Sequence, residues 1–153
     1  MKVHLVSGYV PLEVTHRSPE EYHRLGANLV ELPVESSIFF DTIEDCWMHD
    51  AIAGKGYEPR HAYDYGKNTM EYHIVQHQKT TWMLRAAEIT PDADVFVWMD
   101  YGIFHMRYFT QEKVLAFLAA CEYETGVAIP GSWPKGEQGG PCWRFNGSIL
   151  ICH

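Results

Sequence analysis

The sequence predicts an α/β protein built on a mostly parallel central sheet, and three observations lead there. Residues 95–99 (Val-Phe-Val-Trp-Met) form a continuous apolar run of β-branched and aromatic residues with no alternation, the pattern of a strand buried on both faces. Other strand-like runs, residues 3–10 and 37–41, are interleaved with segments of helical period at 18–32 and 70–89. The central run then delivers Asp100, with Gly102 two residues later, at the strand end outside which open α/β sheets bind their ligands. The plainer alternative is that Asp100 only caps a turn, which Asp-x-Gly satisfies equally well.

The bulk numbers suit a single domain over residues 1–153. The chain has 153 residues, 46% of them hydrophobic and 21% charged, enough to bury a sizeable core and ordinary for a globular protein. No stretch approaches a membrane-spanning length, so no membrane span is expected. The N-terminus runs straight into a strand-like segment with no apolar region followed by a cleavage site, which argues against a secretory signal and for a cytoplasmic location. A net charge of −8 argues against a polyanion-binding surface and against nucleic acid as a partner, while leaving room for a local cationic pocket for a phosphate. The four cysteines, Cys46, Cys121, Cys142 and Cys152, form no C-x-x-C pair and are expected as free, mostly buried thiols rather than a structural zinc site.

Taken in order, residues 3–10 read as the first strand, stopped by Pro11. If it runs parallel to the strand ending at Asp100, Ser7 and Gly8 lie at the same sheet end as that acid, where small residues let a phosphate contact the backbone; a plain strand exit is the alternative. Ser18-Pro19-Glu20-Glu21 is a helix start, with Ser18 as N-cap, Pro19 at the first helical position and Glu21 closing a capping box. Tyr22, Leu25, Leu29 and Leu32 then share one face, and Pro33 ends the segment. Arg17, just before it, is read as solvated rather than anion-binding. Residues 37–41 are a short second strand that also ends in an acid, Asp41. From Thr42 to Asn68 the pattern is a short helix followed by a long loop, a place for a binding lid. Gly54-Lys55-Gly56 is too short for a phosphate loop.

A long helix is predicted over residues 70–89, ended by Pro91. Its apolar stripe of Ile74, Val75, Trp82, Met83, Ala86 and Ala87 is interrupted by Gln78 and Lys79. A lysine in a core-facing row must snorkel out, pair internally or meet an anion, and Lys79 is carried forward as a candidate for a bound phosphate. His73 and His77 share a face four residues apart, but without the H-E-x-x-H pattern they read as surface or half-buried histidines. After the central strand comes a helix over residues 110–124, capped by Thr110 and ended by Gly126, and then a short strand at 127–129. Residues 130–141 form a breaker-rich loop, and 142–152 has strand character with Asn146-Gly147 as a hairpin turn or a close approach to a ligand. The chain stops at His153 while still reading as strand, which predicts a fragment incomplete at its C-terminus.

Lys79 on its helix, followed by Asp94-Val95-Phe96-Val97-Trp98-Met99-Asp100-Tyr101-Gly102-Ile103-Phe104-His105, resembles the "Trp, hydrophobic, Asp, aromatic, Gly, Ile" segment of the HtrL/YibB-type bacterial proteins. More remotely it is similar to the nucleotide-sugar-dependent glycosyltransferases of the GT-A fold. The first strand, the helix carrying Tyr22 and the second strand fit the same outline. The resemblance implies a Rossmann-like three-layer αβα fold and a nucleotide-diphosphate sugar lying across the carboxyl ends of the strands. It also implies a divalent cation, Mn²⁺ or Mg²⁺, between the phosphates. Ser7, Gly8, Lys79, Asp100, Gly102, Asn146 and Gly147 would line that site, with Asp100 and His105 as the metal-side residues. The sequence departs from the family's Asp-x-Asp pattern because Gly102 replaces the second acid, which weakens a metal site. His105 serves equally well as a hydrogen-bond partner of Asp100. Trp143-Arg144-Phe145-Asn146-Gly147 is similar to the strand bordering the acceptor in such enzymes.

The residue types suit that chemistry on their own terms. Glycosyl transfer releases a nucleoside diphosphate, so positive charge already in place lowers the barrier. A base near the acceptor hydroxyl is also needed for inversion; Glu137 is the only guess, and the catalytic residues stay unassigned. Neither the saccharide or other acceptor nor the oligomeric state is legible. Two rivals stand beside a glycosyltransferase-like domain. One is a non-catalytic carbohydrate- or nucleotide-binding module, suited by five Trp and nine Tyr. The other is a structural domain in which Asp100 is only a turn acid.

Overall fold

The computed structural model describes residues 1–13, 17–55, 69–121, 126–129 and 148–153. It is a mixed α/β protein on a five-stranded sheet. The strands are β1 (Val3–Tyr9), β2 (Ser36–Phe40), β3 (Val95–Met99), β4 (Val127–Ala128) and β5 (Ile149–Cys152), and the helices are α1 (Pro19–Val30), α2 (His49–Ala53), α3 (Met70–Ile89) and α4 (Gln111–Ala119). The sheet order is β2-β1-β3-β5-β4. β1 pairs in parallel with β2 and β3, whereas β5 runs antiparallel to β3 and to β4. The parallel sheet expected from the sequence is therefore its β2-β1-β3 half.

The unbroken apolar runs arise because the sheet is covered on both faces. Leu5, Val95, Val97 and Met99 pack on one side with Leu29 of α1 and Val114 and Leu118 of α4. Their strand neighbours Val6 and Trp98 point to the other side, against Ile74, Trp82, Met83 and Ala86 of α3. Period-two alternation thus divides β1 and β3 between two apolar layers.

Local capping sets the helix ends. Ser18 accepts from the backbone N–H of Glu21 with Pro19 at the first helical position, and Thr69 does the same for Tyr72 at the start of α3. The carboxylate half of the capping box differs from expectation. Glu20 hydrogen-bonds Ser18, while Glu21 pairs with Arg17 at 3.4 Å, one turn away. Thr110 caps α4 by accepting from Lys113, but the helix ends at Ala119 rather than running to residue 124. The Cys121 N–H turns back onto the Leu118 carbonyl, and the Cys121 side chain is buried with the core. Gly126 has φ +106°, a conformation suited to glycine.

Cys46, Cys121 and Cys152 are free thiols, and burial pushes Cys46 up to about 11. Among the described residues no helix is long and apolar enough to cross a membrane.

Candidate functional site

Because β1, β2 and β3 are parallel, their carboxyl ends converge at one end of the sheet. The register Val6↔Trp98 and Tyr9↔Phe40 places Ser7, Gly8 and Tyr9 beside the exits of β3 and β2, where Asp100 and Asp41 stand. Ser7 and Asp100 share that end as expected, though Ser7 is fully buried and its hydroxyl donates to the Met99 carbonyl at 2.7 Å.

The centre of this end is Asp100. Its Oδ1 accepts from the Lys79 ammonium at 2.8 Å and from the Trp98 indole N–H at 3.0 Å, and its carboxylate hydrogen-bonds Ser148. The Lys79 side chain is 11% exposed and that of Asp100 is 35% exposed, so the pair lies at the boundary between core and solvent. Burial pushes the Asp100 carboxyl up. The Lys79 charge and the hydrogen bonds from Lys79, Trp98 and Ser148 outweigh it and hold the group below the usual carboxylate range. Lys79 also lies over the Trp98 ring, 5.5 Å from its centroid. Of the fates open to a core-row lysine, the structure realises an internal ion pair at the sheet's carboxyl end.

A second acid was signalled in the sequence only by ending a strand. Asp41 accepts from the Gln78 amide at 2.8 Å, the Trp82 indole at 2.6 Å and the Arg85 guanidinium at 3.3 Å. Gln78, the other polar interruption of the α3 stripe, also receives the Trp47 backbone N–H at 3.2 Å. The indoles of Trp82 and Trp98 stack with centroids 5.5 Å apart and planes 6° from parallel. Two strand-end acids, each bonded to a tryptophan of this stacked pair, therefore anchor α3 to the sheet.

The glycines here are shaped by packing. A Cβ on Gly8 would stand 2.5 Å from the Trp82 ring, and one on Gly102 would stand 3.1 Å from the Tyr22 ring. Gly26 of α1 admits the ring of Tyr101, which a Cβ would meet at 2.0 Å. Tyr101, Tyr9, Tyr22, His23 and Phe40 form an aromatic cluster, with Tyr9 5.4 Å from Tyr101 and 5.3 Å from Tyr22. His23 meets the Tyr101 hydroxyl at 3.3 Å, and Phe40 is 55% exposed. No simple period marks these residues, because they come from three strand ends and one helix.

The divalent cation implied by the family resemblance is poorly matched by these side chains. Among the described residues no three His, Cys, Asp or Glu are gathered as a metal site would require. The His105 ring nitrogen Nδ1 meets the Gly102 carbonyl at 2.7 Å, and the ring is exposed. Asp100 already faces an ammonium, and Asp41 already faces three donors. Asn146, Gly147, Glu137 and the long loop of residues 56–68 lie outside the described residues.

The parallel strands thus gather acids and aromatic rings at one end of the sheet, and the fold as a whole is similar to that of a solved structure. One such structure is that of a glycosyltransferase involved in the glycosylation of the major capsid of PBCV-1, with a TM-score of 0.53 at 12% identity. The match covers 100% of this chain and 60% of that one, so the chain spans only part of its structural neighbour's length. No family model matches the chain, and no curated protein sequence matches it significantly.

Proposed function

We propose that this chain is a glycosyltransferase-like domain of Rossmann-like, three-layer GT-A type, akin to the HtrL/YibB-type proteins. In this reading it binds a nucleotide-diphosphate sugar at the carboxyl end of its sheet and transfers the sugar to an acceptor. The observation that supports it best is the convergence of Lys79 and Asp100 beside the end of β1, on a fold shared with a glycosyltransferase. Lys79 meets a phosphate of the donor and stabilises the charge that develops on the leaving diphosphate. Asp100 holds that ammonium in place. The exposed rim of Phe40 and His23 offers a ring surface for stacking.

A second reading, a non-catalytic carbohydrate- or nucleotide-binding module, draws support from one observation. Both strand-end acids already serve internal donors, which suits positioning better than proton transfer. Titration calorimetry with nucleoside diphosphates, nucleotide sugars and free sugars tests both. The expected result is binding that requires the diphosphate and weakens about tenfold or more in Lys79→Ala, the loss of one charge-assisted contact. Donor hydrolysis or transfer favours the enzyme, and binding without turnover favours the module. Sugar binding with no nucleotide requirement, or no binding at all, refutes the first reading.

A further inference from the structure

We propose that Lys79 takes, at Asp100, the place a divalent cation would occupy, so that this carboxylate recruits no metal and the positive charge at the carboxyl end of the sheet is carried by the protein itself. The inference rests on the reading of this end as a site for an anionic ligand, and it names the source of the charge that meets that ligand.

The first argument is the state of the carboxylate. Oδ1 of Asp100 already accepts from the Lys79 ammonium and the Trp98 indole, and Ser148 supplies a further hydrogen bond. A carboxylate offers about four acceptor positions, so the described donors take most of them. A divalent ion would have to displace the ammonium or sit within a few ångströms of it, against like charge. The second argument is that Lys79 cannot easily withdraw. It stands in the buried row of a 20-residue helix, between Gln78 and Trp82, which are both fastened to Asp41. The Trp98 ring beneath it adds cation–π contact.

A third argument is the poverty of other ligands among the described residues. Mg²⁺ and Mn²⁺ need oxygen-rich octahedral surroundings. Gly102 supplies no carboxylate, the carbonyl of Gly102 is engaged by His105, and Asp41 is committed to Gln78, Trp82 and Arg85. Asp100 is thus a positioning residue that orients Lys79, rather than a ligand to a metal.

The test is Mn²⁺ titration of the 153-residue chain, followed by the EPR signal of the free ion, with calorimetric titration of UDP and GDP in EDTA and in Mn²⁺ alongside. The expected result is no submillimolar Mn²⁺ site in the wild-type chain and no change in Asp100→Asn. Lys79→Gln, which removes the charge and leaves the carboxylate, gains at least tenfold in Mn²⁺ affinity, and adding Asp100→Asn to it abolishes the gain. Should Lys79→Gln not fold, Lys79→Met is titrated instead, and the comparison of wild type with Asp100→Asn needs no lysine variant. A single submillimolar Mn²⁺ site in the wild type that Asp100→Asn weakens tenfold overturns the inference, as does a lysine-free variant that folds yet gains no Mn²⁺ affinity. Failure of UDP and GDP to bind in either buffer counts against the function proposed above; the Mn²⁺ titrations decide this inference independently.

Discussion

Gly8→Ala separates two reasons for a glycine at the end of β1: access for a phosphate, or room for Trp82. The added Cβ would meet three ring atoms of Trp82 at 2.5, 2.6 and 2.7 Å, well inside ordinary contact. That ring cannot slide aside cheaply, because it is fully buried, stacked on Trp98 and bonded to Asp41 at 2.6 Å. Overpacking a core of this kind costs about 1–3 kcal/mol. If the indole yields, its hydrogen bond to a carboxylate is lost as well, roughly another 1.5–3 kcal/mol. With both losses we therefore expect roughly 2.5–6 kcal/mol of destabilisation, a large part of the ~5–15 kcal/mol that holds a domain folded. For a chain of this length, at about 2–4 °C per kcal/mol, that lowers Tm by at least about 5 °C in a thermal melt followed by circular dichroism. A double-mutant cycle with Trp82→Phe should show a less than additive loss, since the smaller ring relieves the clash. A Tm within about 2 °C of wild type, with ligand binding weakened, would refute the packing argument and return Gly8 to the phosphate.

The other glycines should grade with their contacts: Gly26→Ala, aimed at the Tyr101 ring at 2.0 Å, destabilises strongly, while Gly102→Ala, 3.1 Å from the half-buried Tyr22, costs about 1 kcal/mol or less in urea melts. Asp41→Asn presents an amide donor to an array of donors from Gln78, Trp82 and Arg85, so urea unfolding followed by tryptophan fluorescence should show a loss of about 1–3 kcal/mol; an unchanged midpoint would rule out the clamp on α3. Buried His4, whose Nε2 meets Ser37, has its pKa held below the usual 6.5 by burial, against the opposing charge of Glu35. The unfolded chain takes up this proton near 6.5 and the folded chain only at lower pH, so stability falls as pH drops from 6.5 to the folded value; His4→Gln should flatten that part of the profile in urea melts. Asp100 has a folded value below its usual 3.8, so its stabilisation is present above 3.8 and is lost as pH falls through the folded value, an acid limb that Asp100→Asn should remove.

Much of the scaffold was legible because it is written locally. The 3.6-residue stripe closed by the breaker Pro91 announced α3, and the structure starts and stops this helix at the expected residues, with Thr69 as its cap. Ser18-Pro19 marked α1 in the same way, and the uninterrupted run at β3 announced a strand covered on both faces. These signals act over one or two turns of chain, so they survive in a single sequence. Lys79 and Gln78 were conspicuous as polar residues in an apolar row, which marks a buried position with a partner but does not name the partner.

Only the tertiary structure decided the partners. Asp100 lies 21 residues from Lys79 and Asp41 lies 41 residues from Trp82, and no local period couples such positions. The same holds for the sheet, where β5 inserts antiparallel between β3 and β4 and so limits the parallel part to three strands. Strand order is chosen by which faces bury together, a property of the whole core. The sequence by itself determined where helices and strands form, and that acids end β2 and β3. Folding decided that one acid is neutralised by a lysine and the other tied to a stacked indole, because burying a charge requires a partner from wherever in the chain the core can supply one.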